Sequence, residues 1–77
     1  MKETIAEFVK RKRKENVLTQ VDLALYAQVS VKFVNELEGG KNTLRLNKVN
    51  DVLGVFDYQL SVDKKEKKIS FADAQEH

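Results

Sequence analysis

The sequence contains no cysteine, no proline and no tryptophan, and it has only three glycines. Without cysteine, neither a disulfide framework nor a thiolate metal site is available. Without proline and with so few glycines, the chain favours helices joined by short turns. The 77 residues show no run long and apolar enough for a signal peptide or a membrane span. We therefore expect one small cytosolic protein with a single core.

Residues that catalysis would need are equally scarce. The single histidine is His77, at the terminus, and no serine lies in a nucleophile-elbow context. The glycine pair Gly39–Gly40 has no Walker pattern around it. We therefore expect a protein that is not an enzyme and that holds no metal or cofactor.

Charge is unevenly distributed although the net charge is only +2. Residues 1–14 carry six Lys/Arg against two Glu, whereas residues 15–60 carry four Lys/Arg against six acids. The basic excess lies in the run Lys10–Lys14. The run fits either a solvated helix end, where cations suit the helix dipole, or a patch that faces phosphates. Charge alone favours the solvated end.

Apolar spacing and capping residues predict four helices. The first runs over residues 3–15 with Ile5, Phe8 and Val9 on its inner face. Thr19 caps the second, with Asp22 in a variant of the capping box. Ser30 caps the third, which ends at Gly39–Gly40, where one glycine is free to take a left-handed conformation. Thr43 caps a fourth. The expected buried residues of the last three helices are Leu23, Ala24, Ala27, Val34, Leu37, Leu46, Val49, Val52, Leu53 and Phe56.

Beyond the fourth helix the periodicity changes to two, since Tyr58, Leu60 and Val62 alternate with polar residues. One short strand has no partner within the chain. Either the segment is not a strand or another chain supplies the partner. Residues 63–77 are charged and weakly patterned, and we expect a flexible tail there.

The second and third predicted helices are short and only a few residues apart, which is typical of a helix-turn-helix. The stretch LTQVDLALYAQVSVKFVNELEGGK, residues 18–41, resembles the Cro/phage-repressor helix-turn-helix family, also called the XRE family. The run GGKNTLRLNKVNDVLGVFDYQLSV, residues 39–62, is similar to HipB-type antitoxins. The chain departs from the family at Val17 and Gln28, where glycine is usual, so we expect a distorted turn at Gln28.

This resemblance implies an all-α, lambda-repressor-like bundle of four to five helices in residues 1–62, with a C-terminal strand over residues 58–62 that pairs across a homodimer. It implies an autoregulating repressor that binds a palindromic operator in double-stranded DNA. It further implies a cognate toxin, of the HipA kinase type, encoded in the same operon. Two alternatives stay open: a stand-alone phage-type regulator without a toxin, and an interaction module that keeps the fold but does not read DNA.

The resemblance also assigns roles to individual residues. Base readers are Ser30, Val31, Lys32 and Glu36; DNA-backbone contacts are Gln20, Asn35, Lys41, Asn42 and Thr43; dimerisation residues are Phe56, Tyr58, Leu60 and Val62; and Arg13 and Glu38 form a structural ion pair. Lys32 can donate to guanine. Ser30 serves either as a DNA contact or only as a helix cap. Glu36 either accepts from cytosine or has no role in reading bases, in which case it faces solvent or pairs with Lys32.

Overall fold

The protein is all-helical over the residues that the structure, a computed structural model, describes, which are residues 3–60. The helices are α1 (Ile5–Glu15), α2 (Gln20–Ala27), α3 (Val31–Glu38) and α4 (Leu46–Gly54). This arrangement confirms the all-α class. Within the same residues, none of the helices has the length and apolar character needed to cross a membrane.

Three helices begin at side chains that cap them. Thr4 starts α1 with a capping box, in which the Glu7 N–H donates to Thr4 Oγ1 over 3.1 Å and the Thr4 N–H donates to Glu7 Oε1 over 3.0 Å. The box predicted at Thr19 and Asp22 is confirmed, with distances of 3.0 and 2.9 Å. Ser30 caps α3 as predicted, because its Oγ accepts from the Phe33 N–H at 3.0 Å. Each cap satisfies a backbone donor that the helix itself cannot.

In the described part of the chain, a residue with a left-handed backbone conformation follows the end of each helix within three positions; after α4 it is Asp57, with φ +66°. Gly40, with φ +89°, follows the end of α3 and confirms the prediction of a left-handed glycine there. Gln28, with φ +61°, ends α2, and Val17, with φ +57°, follows α1. The three non-glycine residues Val17, Gln28 and Asp57 therefore adopt a conformation that glycine adopts more easily. At Gln28 the turn is closed by a 3.0 Å bond from the Val29 N–H to the Ala24 carbonyl oxygen.

The predicted start of the fourth helix is wrong. Thr43 does not cap it, because residues 43–45 are irregular and α4 begins at Leu46 after Arg45, which makes no side-chain cap bond. Leu44 packs against the core from the irregular segment, so tertiary packing overrides the local capping signal. Leu46 was expected in the buried stripe but is 60% exposed, since it stands at the first position of the helix.

One hydrophobic core holds the helices together. α2 packs on α3 and α4, and α1 packs on α3. Apart from Leu46 and the half-buried Phe56, the predicted inner residues of the last three helices are buried. The buried side chains are Val9, Leu23, Ala24, Ala27, Val34, Leu37, Val49, Val52 and Leu53.

The chain after α4 folds back on the core. Residues 58–60 form no strand among the described residues, and Val62 lies outside them. The Tyr58 N–H donates to the Leu53 carbonyl oxygen at 3.0 Å, and the Leu60 N–H donates to Asn50 Oδ1 at 2.8 Å. The Tyr58 ring meets the Phe8 ring edge to face at 4.8 Å. The described part of the segment is therefore anchored to its own chain.

Candidate nucleic-acid interface

The outward side of α3 presents four of the residues that the sequence singled out. Because an α-helix turns by about 100° per residue, residues 31, 32, 35 and 36 lie within an arc of about 140°. Val34 and Leu37 point the other way and are buried. Lys32 and Asn35 are exposed, Val31 is 41% exposed and Glu36 is half-buried. Ser30 stands at the start of this row, where its oxygen serves the cap while its hydroxyl hydrogen remains available.

The first residue of α2 joins this row through side-chain hydrogen bonds. Asn35 Nδ2 donates to Gln20 Oε1 at 3.3 Å, and Gln20 Nε2 donates to Glu38 Oε1 at 3.1 Å. Gln20 is half-buried and Asn35 is exposed. The start of α2 and the outward side of α3 therefore form one continuous polar surface.

Behind that surface lies the ion pair of Arg13 and Glu38. Arg13 Nε and Nη2 donate to the two carboxylate oxygens at 2.7 and 2.9 Å, and Nη1 donates to the Leu18 carbonyl oxygen at 2.8 Å. The side chains are only 11% and 3% exposed. Burial alone raises the pKa of Glu38, but hydrogen bonds from Arg13 and Gln20 and the positive charge of Arg13 bring it below its ordinary value. Glu38 therefore stays ionised, and the pair ties α1 to α3.

The loop after α3 lies beside the same surface. Lys41 Nζ is 3.6 Å from Glu36 Oε2, so Glu36 pairs with Lys41 and not with Lys32, the partner considered from the sequence. Asn42 and Thr43 are exposed in this loop. Since Thr43 is not at a helix start, it brings no helix N-terminus to the surface.

The basic run of α1 is mostly paired within the chain. Arg11 bonds Glu3 and Glu15, Lys12 Nζ lies 3.5 Å from Glu15 Oε1, and Arg13 bonds Glu38. Within residues 3–60, Lys10 and Lys14 are the members of the run that have no ion-pair partner. The structure therefore favours the solvated helix end over a strongly basic patch.

An apolar surface lies on the outer side of α2. Val21, Leu25 and Tyr26 are 60%, 73% and 65% exposed, and Val17, just before the helix, is 87% exposed. A helix that is apolar on both sides is usually covered on both. This outer face was not predicted, because capping and apolar spacing identify only the inner residues of α2.

Sequence analysis also missed the hydrogen bonds that connect Gln20 to Glu38 and to Asn35. These contacts join residues 18 and 15 positions apart, and no local pattern in the sequence marks them.

No cluster of three or more possible metal-ligating side chains occurs in the part of the chain that the structure describes.

Comparison of the chain with protein-family models and with curated proteins found no match. The case for a function therefore depends on the surface formed by Gln20, the outward residues of α3 and Lys41.

Proposed function

We propose that this protein is a sequence-specific DNA-binding transcriptional repressor whose α2 and α3 form a helix-turn-helix. The observation that carries the proposal is the outward row of α3, which lies opposite the buried residues Val34 and Leu37 and is continuous with Gln20 at the start of α2. In a helix-turn-helix, the second helix enters the major groove while residues around it hold phosphates. Ser30, Val31, Lys32 and Glu36 would then face base edges.

Charge on this surface suits contact with DNA at a few points. Lys32 is exposed and without an ion-pair partner in the described part of the chain, so its ammonium can donate to guanine O6 or N7. Gln20, Asn35, Lys41 and Asn42 would contact the DNA backbone. Lys41 would exchange its 3.6 Å contact with Glu36 for a phosphate. That exchange would free the Glu36 carboxylate to accept from cytosine N4.

We further propose that the protein acts as a homodimer on a palindromic operator, with recognition helices about 34 Å apart. The N–H groups of Tyr58 and Leu60 already donate within the chain, so a partner strand would pair at the opposite edge, through Gln59. Phe56 and Leu60 pack on their own core and would contribute to a dimer mainly by supporting that edge. Sedimentation equilibrium measures the oligomeric state, and a monomer at micromolar concentration would contradict this step.

The operon role that we propose is that of an autoregulating antitoxin, which blocks its own promoter and binds a toxin. The exposed apolar side of α2 supports a protein partner in addition to DNA. The role that we propose does not include catalysis. The same apolar surface also favours the second candidate, an interaction module that does not read DNA.

Binding to the DNA upstream of its own gene tests the proposal, with scrambled DNA as the competitor and salt as the variable. We expect specific binding whose affinity falls steeply with salt, because phosphate contacts release counterions. Lys32→Ala should weaken specific binding by about 1–3 kcal/mol. Lys14→Ala is the matched control, and it should change binding to the two DNAs equally or not at all. Equal affinity of the unaltered protein for both DNAs would overturn the proposal in favour of the interaction module.

A further inference from the structure

The buried pair of Arg13 and Glu38 is connected to the surface through Gln20. Glu38 Oε1 accepts from two donors, Arg13 Nη2 at 2.9 Å and Gln20 Nε2 at 3.1 Å. The side-chain oxygen of Gln20, Oε1, in turn accepts from Asn35 Nδ2 at 3.3 Å. A line of hydrogen bonds therefore runs from the inside of the protein to an exposed amide on α3.

The chemistry of the carboxylate gives this line a direction. An ionised carboxylate can only accept hydrogen bonds, so it selects the NH₂ end of the Gln20 amide. The oxygen of Gln20 must then point to the other side, where it selects the NH₂ end of Asn35. The two ends of a side-chain amide have nearly the same shape, so packing alone does not choose between them. The charge of Glu38 makes that choice for both amides.

Burial explains why Glu38 can hold this orientation. Its side chain is 3% exposed, so water does not compete for the oxygen that Gln20 uses. Arg13 holds both oxygens in place through Nε and Nη2, and its third donor is fixed on the Leu18 carbonyl oxygen. The carboxylate is thus a fixed acceptor, whereas Gln20 and Asn35 each keep a side-chain N–H hydrogen that no residue in 3–60 accepts.

We propose that Glu38 is a positioning residue for the nucleic-acid surface, acting through Gln20 to orient the amides of Gln20 and Asn35 toward phosphate oxygens. This role rests on the proposed DNA-binding function and goes beyond the structural role of the ion pair. With Glu38 in place, both amides present N–H donors before DNA arrives, which lowers the ordering cost of binding.

A double-mutant cycle in DNA affinity tests the proposal, with Glu38→Gln measured in the unaltered chain and in Gln20→Leu. Glutamine can present either end to Gln20, so Glu38→Gln alone should weaken operator binding about tenfold. In the Gln20→Leu background the same change should weaken it by less than about twofold, because the connection is already broken. All measurements are made where circular dichroism shows the variants fully folded. Because only folded variants are compared, an equal loss in both backgrounds would show that Glu38 does not act through Gln20 and would overturn the proposal.

NMR detects the orientation of the Gln20 side-chain amide in the unaltered protein without DNA. This measurement therefore tests the proposal even if the Glu38→Gln variant does not fold. In the unaltered protein the side-chain NH₂ of Gln20 should exchange with solvent more slowly than that of Gln28, an exposed amide without a side-chain bond in the described residues. Equal exchange rates would overturn the proposal. If Gln20 is protected but the unaltered protein does not discriminate operator from scrambled DNA, the hydrogen-bond line exists and the DNA function fails. The positioning role is then overturned with that function.

Discussion

Two arginines two positions apart in α1 are held by carboxylates in the same way. Arg11 Nε and Nη2 donate to Glu3 at 2.7 and 2.9 Å, and Arg13 Nε and Nη2 donate to Glu38 at 2.7 and 2.9 Å. The pairs differ in their access to water. Arg11 and Glu3 are 46% and 35% exposed, whereas Arg13 and Glu38 are 11% and 3% exposed. Identical distances therefore occur in two different dielectric surroundings.

This difference shows that hydrogen-bond distances alone do not indicate how much an ion pair contributes to stability. Water screens the pair of Arg11, so the free charges are nearly as stable as the paired ones. The pair of Arg13 has already left water, and removing one member leaves the other charge buried without compensation. The pKa of each arginine is raised chiefly by the hydrogen bonds that it donates to carboxylates, to Glu3 and Glu15 from Arg11 and to Glu38 from Arg13. Because the pKa is raised at both arginines, the pKa shift does not distinguish the two ion pairs. Their burial does distinguish them.

The largest effect on stability is expected from Glu38→Ala. The change should lower the free energy of unfolding by about 3–5 kcal/mol, because it leaves the Arg13 guanidinium buried and unpaired. Urea denaturation at a fixed protein concentration measures the loss. Glu15→Ala is the matched control, since Glu15 also bonds an arginine of α1 but is 48% exposed. Equal losses in the two variants would contradict the role of burial.

Acid should remove part of the same stabilisation. The pKa of Glu38 in the unfolded chain is the ordinary 4.5, and folding lowers it. The contribution of ionised Glu38 to the free energy of unfolding is therefore fully present above about pH 4.5. It is lost as the pH falls through the lower pKa that Glu38 has in the folded protein. Glu38→Gln should lose less stability between pH 6 and pH 3 than the unaltered protein. Parallel losses would show that other carboxylates, such as Glu3 and Asp22, account for the acid sensitivity.

A smaller effect is expected when both members of the buried pair become apolar. Arg13→Met combined with Glu38→Leu removes the two charges together, and such swaps are often nearly neutral. We expect a loss of about 1 kcal/mol, due to the Leu18 carbonyl oxygen and the Gln20 amide that lose their partners. Thermal unfolding of the double variant beside both single variants measures it. A double variant as unstable as Glu38→Ala would mean that the charges themselves contribute net stability.

Arg11→Ala should have the smallest effect of all. Its partners Glu3 and Glu15 return to water, where their charges are well solvated. The melting temperature should change much less than for Glu38→Ala, and added salt should change the small difference further, since exposed pairs are screened. A decrease in melting temperature comparable to that of Glu38→Ala would show that the exposed pair of Arg11 stabilises the fold as much as the buried pair does. Burial would then not explain the difference between the pairs.

Sequence reasoning works well where structure depends on neighbours within four positions. The caps at Thr19 and Ser30 and the left-handed Gly40 are as predicted, because each depends on hydrogen bonds or dihedral freedom local to the helix end. The same reasoning fails at Thr43, where packing of Leu44 delays the helix to Leu46. At Gln28 it expects distortion, yet the residue accepts the left-handed conformation because Val29 and Ala24 close the turn.

The candidate site likewise contains features that depend on local sequence and contacts that depend on tertiary structure. The outward row of α3 follows from helical periodicity and from the buried positions of Val34 and Leu37, so it could be predicted. That Glu36 pairs with Lys41, and that Gln20 connects Glu38 to Asn35, could not. These contacts join different elements and depend on where the elements meet.

The sequence by itself determined that this chain is helical, where most of its helices begin and end, and which side of α3 faces outward. These properties follow from interactions between residues close in the chain. The resemblance named the pair of Arg13 and Glu38, but only the tertiary structure decided how deeply each cation of the run Lys10–Lys14 is buried, which others pair with exposed carboxylates and which have no ion-pair partner among residues 3–60. Five consecutive cations look alike in a sequence, but successive residues of a helix point in different directions. Arg13 therefore meets a buried carboxylate 25 residues away, while Arg11 meets exposed carboxylates close by in the chain.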